Sequence, residues 1–140
     1  MKSDLYKLLN PNRVIEVVDV GANPIDGEPP YKGLLTSEMC RVTGFEPQEA
    51  AFAELQRVKG PNERYFPDIV GDGGTHELNI CKAQGMTSLF VPDPKTLELF
   101  NMFPEWGTVV ETLPLKSRRL DDIEEIEYID YLKIDVQGVN

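Results

Sequence analysis

The stretch "VVDVGAN", residues 17–23, decides the fold. It closes a nearly continuous β-branched run over 13–20, which is typical of a strand buried on both faces of a parallel sheet. The run ends near Asp19 and turns at Gly21, where the lack of a side chain lets a ligand approach the backbone. Because ligands of open α/β sheets bind beyond the carboxyl ends of the strands, the stretch predicts a first core strand that ends at a ligand site.

Strands and helices alternate after this first strand. A second strand is predicted over 41–46, a third over 64–74 with glycine interruptions, and a fourth buried strand over 129–136. Helices are predicted over 3–10, 31–39, 47–58 and 93–103 from capping residues, proline positions and apolar spacing. The alternation, with right-handed crossovers, predicts an α/β fold with a parallel sheet and helices packed on it.

The middle of the chain departs from this rhythm. Residues 75–83 and 87–91, joined around Gln84 and Gly85, are predicted to form an antiparallel pair. An extended strand is predicted over 107–120, where Pro114 indicates a sheet edge or a bulge. The sequence therefore predicts an inserted β-hairpin region within the α/β sheet.

Length and charge restrict the function. The 140 residues suit one domain, 1–140. A net charge of −10 argues against a nucleic-acid partner, because nucleic-acid binding needs clustered Lys and Arg.

No apolar stretch approaches the roughly 20 residues of a membrane span, and the N-terminus lacks the features of a signal peptide, so a cytoplasmic location is predicted. The two cysteines have no metal-ligand spacing, and no metal cluster is predicted.

Four carboxylates are predicted at the ends of core strands. Asp19, Glu46, Asp72 and Asp135 end the first, second, third and fourth strand. An acidic residue after the second strand suits the two hydroxyls of a ribose, and one after the third can accept from an adenine amino group. Any one of the four could instead be a turn former or a cap, but together they favour a shared ligand rim. The N–H groups of the turn after Gly21 could also hold a carboxylate or phosphate.

The motifs at these strand ends resemble those of a known family. "VVDVGAN", "GFEP" at 44–47, "TSL" at 87–89 and "YIDYLKIDVQG" at 128–138 are similar to the FkbM family of S-adenosylmethionine-dependent methyltransferases. The resemblance covers about residues 14–138. It implies a Rossmann-like class I methyltransferase fold and O-methylation of a hydroxyl group on a sugar or a natural-product-like small molecule.

The resemblance also implies roles for individual residues. The cofactor would be S-adenosylmethionine, and Asp135 would lie beside the transferred methyl group and the acceptor, as the candidate catalytic residue. The implied cofactor-binding residues are Asp19, Gly21, Ala22 and Asn23 at its amino-acid end, Glu46 at its ribose and Asp72 near its adenine.

Two departures from the family pattern bear on completeness. Pro24 follows Asn23 where the family has a further glycine soon after, and Gly138 is followed by Val139 and Asn140 instead of leading to the family's glutamate. The chain is therefore expected to be the N-terminal portion of a methyltransferase, without the C-terminal strands and with little methyl transfer on its own. Its last strand would then have an open edge through which chains could self-associate. The apolar residues at risk are Ile129, Leu132, Ile134 and Val136.

Two other functions remain open on the sequence. A dinucleotide-binding oxidoreductase would need G-x-G-x-x-G, and "GANPID" at 21–26 supplies only the first glycine. A catalytically inactive cofactor-binding fragment or interaction module is the second alternative. His76, the only histidine, could be a base, but it lies in a predicted hairpin strand and is interpreted as a surface or structural residue. Lys133 lies inside the last strand and is interpreted as a snorkelling or paired lysine and not a catalytic one.

Overall fold

The computed structural model describes residues 4–9, 12–24 and 27–136, which form two compact units. The first unit contains the described residues up to Asp68 together with 120–135, and the second contains 69–119 and Val136. Gly138 lies outside the described residues. In chain order the helices and strands are α1 (Asp4–Leu9), β1 (Ile15–Val20), α2 (Lys32–Thr36), β2 (Cys40–Phe45), α3 (Glu49–Val58), β3 (Glu63–Phe66), β4 (Ile69–Val70), β5 (Thr75–Cys81), α4 (Pro94–Leu97), α5 (Phe103–Trp106), β6 (Val109–Arg118) and β7 (Tyr131–Ile134).

A parallel sheet with strand order β3-β2-β1-β7 forms the centre of the first unit. In the register of this sheet, Asp19 on β1 pairs with Gly44 on β2 and with Lys133 on β7. The predicted α/β fold with a mainly parallel sheet is confirmed. Because all strands run the same way, their carboxyl ends meet along one rim of the sheet.

One face of this sheet is covered by α2 and α3. Val17, Tyr31, Cys40 and Val42 form a buried cluster under α2. Ala51 and Leu55, four residues apart on α3, are both buried because that spacing puts them on one face of a helix. The helix predicted over 47–58 is thus confirmed at Glu49–Val58, and the helix predicted over 31–39 is shorter, at Lys32–Thr36.

The third predicted strand is divided between the two units. β3 ends at Phe66, and Ile69–Val70 instead forms β4, which pairs with residues 117–118 of β6. Pro67 follows β3 directly and has no N–H to donate to a ladder, so the strand cannot continue regularly. The prediction that one strand runs to Asp72 was wrong, and Asp72 does not end a strand of the parallel sheet.

The second unit is built on the antiparallel pair β5–β6, with Leu78 opposite Leu113. Of the predicted antiparallel pairing of 75–83 with 87–91, the structure has only an isolated antiparallel bridge between Asn79 and Ser88. Within residues 87–91, the Phe90 N–H donates to the Ser88 hydroxyl and not to a neighbouring strand. Such side-chain bonds compete with a strand ladder. The inserted antiparallel region is therefore present, but β5 pairs with β6 and not with residues 87–91.

One helix was predicted over 93–103, but the structure has two short helices in this region, α4 and α5. The Asp93 side chain caps α4 as its sequence position predicts, by accepting from the Lys95 N–H. Between the helices Met102 adopts a φ of 71°, a left-handed conformation in which a helix cannot continue. Among the described residues no helix is both long enough and apolar enough to cross a membrane.

Among the described residues, β7 is an outer strand of the parallel sheet, and it exposes apolar side chains. Leu132 and Ile134 are exposed on β7, and Ile129 and Val136 are exposed beside it. The expectation that these residues would be uncovered is confirmed. By contrast, the β1 residues Val17, Val18 and Val20 are buried, as expected for a central strand.

Gly44 tests the packing between the sheet and Tyr65. A Cβ atom at this position would lie 2.5 Å from the Tyr65 ring and 3.0 Å from the Ala22 Cβ. We expect Gly44→Ala to lower the free energy of unfolding by about 1–3 kcal/mol, the usual cost of overpacking. Urea denaturation would measure it.

The matched control is Gly33→Ala on the exposed surface of α2, where a Cβ would meet nothing within 4 Å. We expect this control to leave stability unchanged or to raise it by up to about 1 kcal/mol, because alanine favours a helix over glycine. Equal effects of the two substitutions would contradict the packing described for Gly44.

Candidate functional site

Three of the sequence-predicted site residues lie at one rim of the first unit. Gly21, Glu46 and Asp135 are each the first residue after their strands β1, β2 and β7. These strands are neighbours in the sheet and run parallel, so the structure brings the three residues to adjacent positions. This is the rim at which α/β sheets bind ligands.

The turn after β1 is tied to β2. The N–H groups of Gly21 and Ala22 both donate to the Phe45 carbonyl, at 3.1 and 3.0 Å. Gly21 has a φ of 80°, a conformation that favours glycine. Both of these N–H groups are thus bonded within the protein, and the expectation that N–H groups of this turn hold a carboxylate or phosphate stays a prediction.

Asp19 is a buried carboxylate with two protein donors. It is only 2% exposed, and it accepts from the Tyr31 hydroxyl at 2.5 Å and from the Lys133 ammonium at 3.0 Å. Each donor contacts a different carboxylate oxygen. Burial and the neighbouring Asp19 charge together raise the pKa of Tyr31, which keeps this hydroxyl protonated as a donor. Asp19 therefore holds α2 and β7 to β1, close to the rim.

Lys133 connects Asp19 to the predicted catalytic residue. Its ammonium nitrogen also lies 3.7 Å from an Asp135 side-chain oxygen. Asp135 has an exposed side chain, and its backbone N–H donates to the Val20 carbonyl at 3.0 Å. A line of alternating partners thus runs from buried Tyr31 to exposed Asp135. The interpretation of Lys133 as a paired lysine is confirmed.

Glu46 is a buried carboxylate that directly follows β2, the strand beside β1. It is 2% exposed, and one of its oxygens accepts from the Gln48 N–H at 2.8 Å. Burial raises the pKa of Glu46, and the Asp19 charge adds to this effect. Each carboxylate oxygen has two lone pairs, so Glu46 can accept further hydrogen bonds from a ligand.

Asp72 belongs to the second unit. One of its oxygens accepts from the Gly74 N–H and from Ser117, and lies 2.7 Å from His76 Nε2. These bonds, the one to His76 above all, lower the pKa of Asp72 to about 2. They hold the turn before β5, and they give His76 the structural role that was predicted. The assignment of Asp72 to an adenine stays a prediction, without the strand-end position on which it was based.

A cleft of about 350 Å³ lies against the other face of the parallel sheet. The arginines that line this cleft are already bonded within the protein. Arg13 forms an ion pair with Asp130, Arg41 forms one with Glu16, and Arg64 donates to the Thr43 hydroxyl. The Asp130 carboxylate also accepts from the Glu16 N–H, and its pKa is lowered to about 2, mainly by Arg13. These contacts join the start of β7 to β1, and the cleft does not include the rim residues.

Comparison with known proteins identifies the family. The model of the FkbM methyltransferase domain matches residues 19–139, which include the rim residues. The chain belongs to the FkbM methyltransferase family. No curated protein and no solved structure matches the chain. Among the described residues, no group of three or more His, Cys, Asp or Glu side chains is arranged to hold a metal ion.

Sequence reasoning missed two features of this FkbM chain. Tyr31 contacts Asp19 although it lies twelve residues further along the chain. Only its position at the start of α2, directly after a loop that begins at the rim, could have indicated this contact. Asp68 was also missed. It follows β3 by two residues in the first unit, a position that could have been found by treating Pro67 as the end of the strand.

Removing the Lys133 charge would leave Asp19 buried without its cation. We expect Lys133→Met to lower the free energy of unfolding by about 3–5 kcal/mol, the usual cost of breaking one side of a buried ion pair. The double variant Asp19→Asn/Lys133→Met should recover part of this loss, since no buried charge then remains. Urea denaturation at neutral pH would measure both. Lys59→Met, at an exposed lysine, is the control, and an equal effect at both lysines would contradict the account.

The raised pKa of Glu46 predicts a pH-dependent stability. A group whose folded-state pKa lies above its unfolded value stabilises the fold at low pH, and this contribution is lost as pH rises through the folded value. At neutral pH the buried, ionised Glu46 therefore destabilises the fold. We expect Glu46→Gln to raise the free energy of unfolding at neutral pH, by an amount that shrinks as pH falls toward the ordinary glutamate value of 4.5.

Denaturant titrations from neutral to mildly acidic pH would check this, with the exposed Glu49→Gln as the matched control. A loss of stability in Glu46→Gln, or a gain that does not change with pH, would show that burial does not govern the Glu46 charge.

Proposed function

We propose that the chain binds S-adenosylmethionine at the rim formed by Gly21, Glu46 and Asp135, and that it serves O-methylation of a hydroxyl group on a sugar or natural-product-like small molecule. The observation that carries the proposal is Glu46, a buried carboxylate directly beyond β2 and beside the β1 turn, in a chain of the FkbM methyltransferase family. Burial strengthens its hydrogen bonds to a ribose diol because the local dielectric is low.

The charges of the site suit a cationic methyl donor. S-Adenosylmethionine would supply an electrophilic methyl group on a sulfonium. Asp135 is the exposed carboxylate at the end of β7, and it is the proposed acceptor of the proton that the hydroxyl loses as its oxygen takes the methyl group. Lys133 neutralises Asp19, so one net negative charge remains among these three side chains. Holding donor and acceptor in line would supply much of the rate acceleration.

The turn after β1 argues against a dinucleotide-binding oxidoreductase. A pyrophosphate needs free N–H groups in that turn, and those of Gly21 and Ala22 are bonded to Phe45. A catalytically inactive cofactor-binding module has the same rim as an active enzyme. Cofactor binding and methyl transfer therefore have to be measured separately.

Calorimetric titration with S-adenosylmethionine and, in parallel, with NAD tests the proposal. We expect binding of S-adenosylmethionine only. Glu46→Ala should weaken it by about tenfold or more, because a hydrogen bond to a charged group contributes about 1.5–3 kcal/mol. Gly21→Val should also weaken it, since its side chain would enter the ligand space and strain a φ of 80°.

The matched control is Glu49→Ala, at an exposed glutamate of α3. Wild-type affinity in both Glu46→Ala and Gly21→Val would contradict the proposed site. Binding of NAD in place of S-adenosylmethionine would favour the oxidoreductase.

The carboxylate that receives the adenine amino group is proposed separately. Asp72 is the residue implied by the family resemblance, whereas Asp68 is the acidic residue that follows β3 within the first unit. Titration of Asp68→Ala and Asp72→Ala with S-adenosylmethionine would decide between them. We expect the larger loss of affinity for Asp68→Ala, and a larger loss for Asp72→Ala would restore the original assignment.

A further inference from the structure

We propose that Asp135 lets the rim distinguish the cationic methyl donor from the spent cofactor, S-adenosylhomocysteine, whose sulfur carries no charge. The carboxylate exchanges its contact with Lys133 for the sulfonium when the donor binds, and it returns to Lys133 after methyl transfer. This inference rests on the proposed function, because it concerns the same rim. It adds a selectivity that cofactor binding alone does not require.

The Lys133 ammonium is shared unequally between two carboxylates. Its nitrogen lies 3.0 Å from an Asp19 oxygen, which is a hydrogen-bond distance, and 3.7 Å from an Asp135 oxygen, which is an ion pair without a hydrogen bond. Asp19 is buried, where an unpaired charge would be costly. Lys133 is therefore fixed to Asp19, and its contact with Asp135 is the weaker one, which a second cation can replace.

The backbone of Asp135 is held in place while its carboxylate remains accessible. The Asp135 N–H donates to the Val20 carbonyl at 3.0 Å, which sets it beside the last residue of β1, directly before the turn at Gly21. The Asp135 side chain is 62% exposed. The carboxylate can therefore turn toward a ligand at the rim without any movement of β7.

The methyl donor and its product differ by one methyl group and one positive charge. In the proposed reaction the hydroxyl oxygen takes the methyl group, and the methyl–sulfur bond breaks with its electron pair left on sulfur. Asp135 takes the hydroxyl proton and passes it to water. The sulfur is then neutral, and Asp135 pairs again with Lys133, the cation beside it. An opposite-charge contact thus holds the donor and not the product.

The other two rim carboxylates do not make this distinction. Asp19 is buried, and its charge is balanced by Lys133. Glu46 is proposed to bind the ribose, which the donor and the product share. Preference for the donor should therefore depend on Asp135, whereas Glu46 should affect both compounds.

The first test is calorimetric titration of the whole chain with S-adenosylmethionine and with S-adenosylhomocysteine. Asp135→Asn keeps the shape of the side chain and removes its charge. We expect it to weaken binding of S-adenosylmethionine by about fivefold, the factor for one opposite-charge pair about 4 Å apart in near-aqueous surroundings. Binding of S-adenosylhomocysteine should change by less than about twofold, because no charge–charge contact is lost.

Two control variants separate this effect from others. Glu46→Ala should weaken both compounds to a similar extent. Glu38→Gln removes the same charge at an exposed residue before β2, at the end of the sheet opposite the rim, and it should change neither affinity. Because the net charge of −10 attracts any cation at long range, the titrations are made at physiological ionic strength, where the Debye length is about 8 Å. Urea denaturation should show that Asp135→Asn folds like the wild type, since an exposed ion pair contributes little.

The second test removes the cation that competes for Asp135. The double variant Asp19→Asn/Lys133→Met leaves neither buried charge, and Asp135 then has no contact with residue 133 to exchange. We expect a stronger preference for S-adenosylmethionine over S-adenosylhomocysteine than in the wild type. The ratio of the two affinities is the readout, because any effect of Asp19 on the shared part of the two compounds cancels in it.

Equal weakening of both compounds by Asp135→Asn, or no change in either, would overturn the inference. A weaker or unchanged preference for the donor in the double variant would overturn the exchange with Lys133. These results leave the proposed function standing, since binding of S-adenosylmethionine to the wild type and its dependence on Glu46 test that function separately. A wild-type chain that binds neither compound would overturn both proposals.

Discussion

The ion pair between Asp19 and Lys133 is the contact on which the rest of the first unit depends. It joins the central strand β1 to the edge strand β7, and Tyr31 adds α2 to the same carboxylate. All three side chains are withdrawn from solvent, so each needs the others to compensate for its lost hydration. The strand ends that carry Gly21 and Asp135 are consequently held in a fixed relation, which a cofactor site requires.

Local patterns predicted the parts of the fold that local physics determines. The β-branched run of β1 and the apolar spacing of α3 were read correctly, as were the exposure of Ile134 and the rim positions of Gly21, Glu46 and Asp135. The partner of β5 could not be predicted, because a local pattern says that a residue suits a strand and not which distant strand will pair with it. Asp72 was misplaced for a related reason. The chain leaves the parallel sheet at Pro67, and no local signal showed that Ile69 would join β6.

Hydrogen–deuterium exchange of the chain with and without S-adenosylmethionine tests the central claim most directly, namely that the strand ends of the first unit form one ligand site. The account predicts slower exchange in peptides that contain the turn after β1, the segment of Glu46 to Gln48 and the end of β7. Peptides of the β5–β6 pair away from the Asp72 turn should not change. Protection confined to the β5–β6 pair, or no protection at a saturating cofactor concentration, would contradict the account.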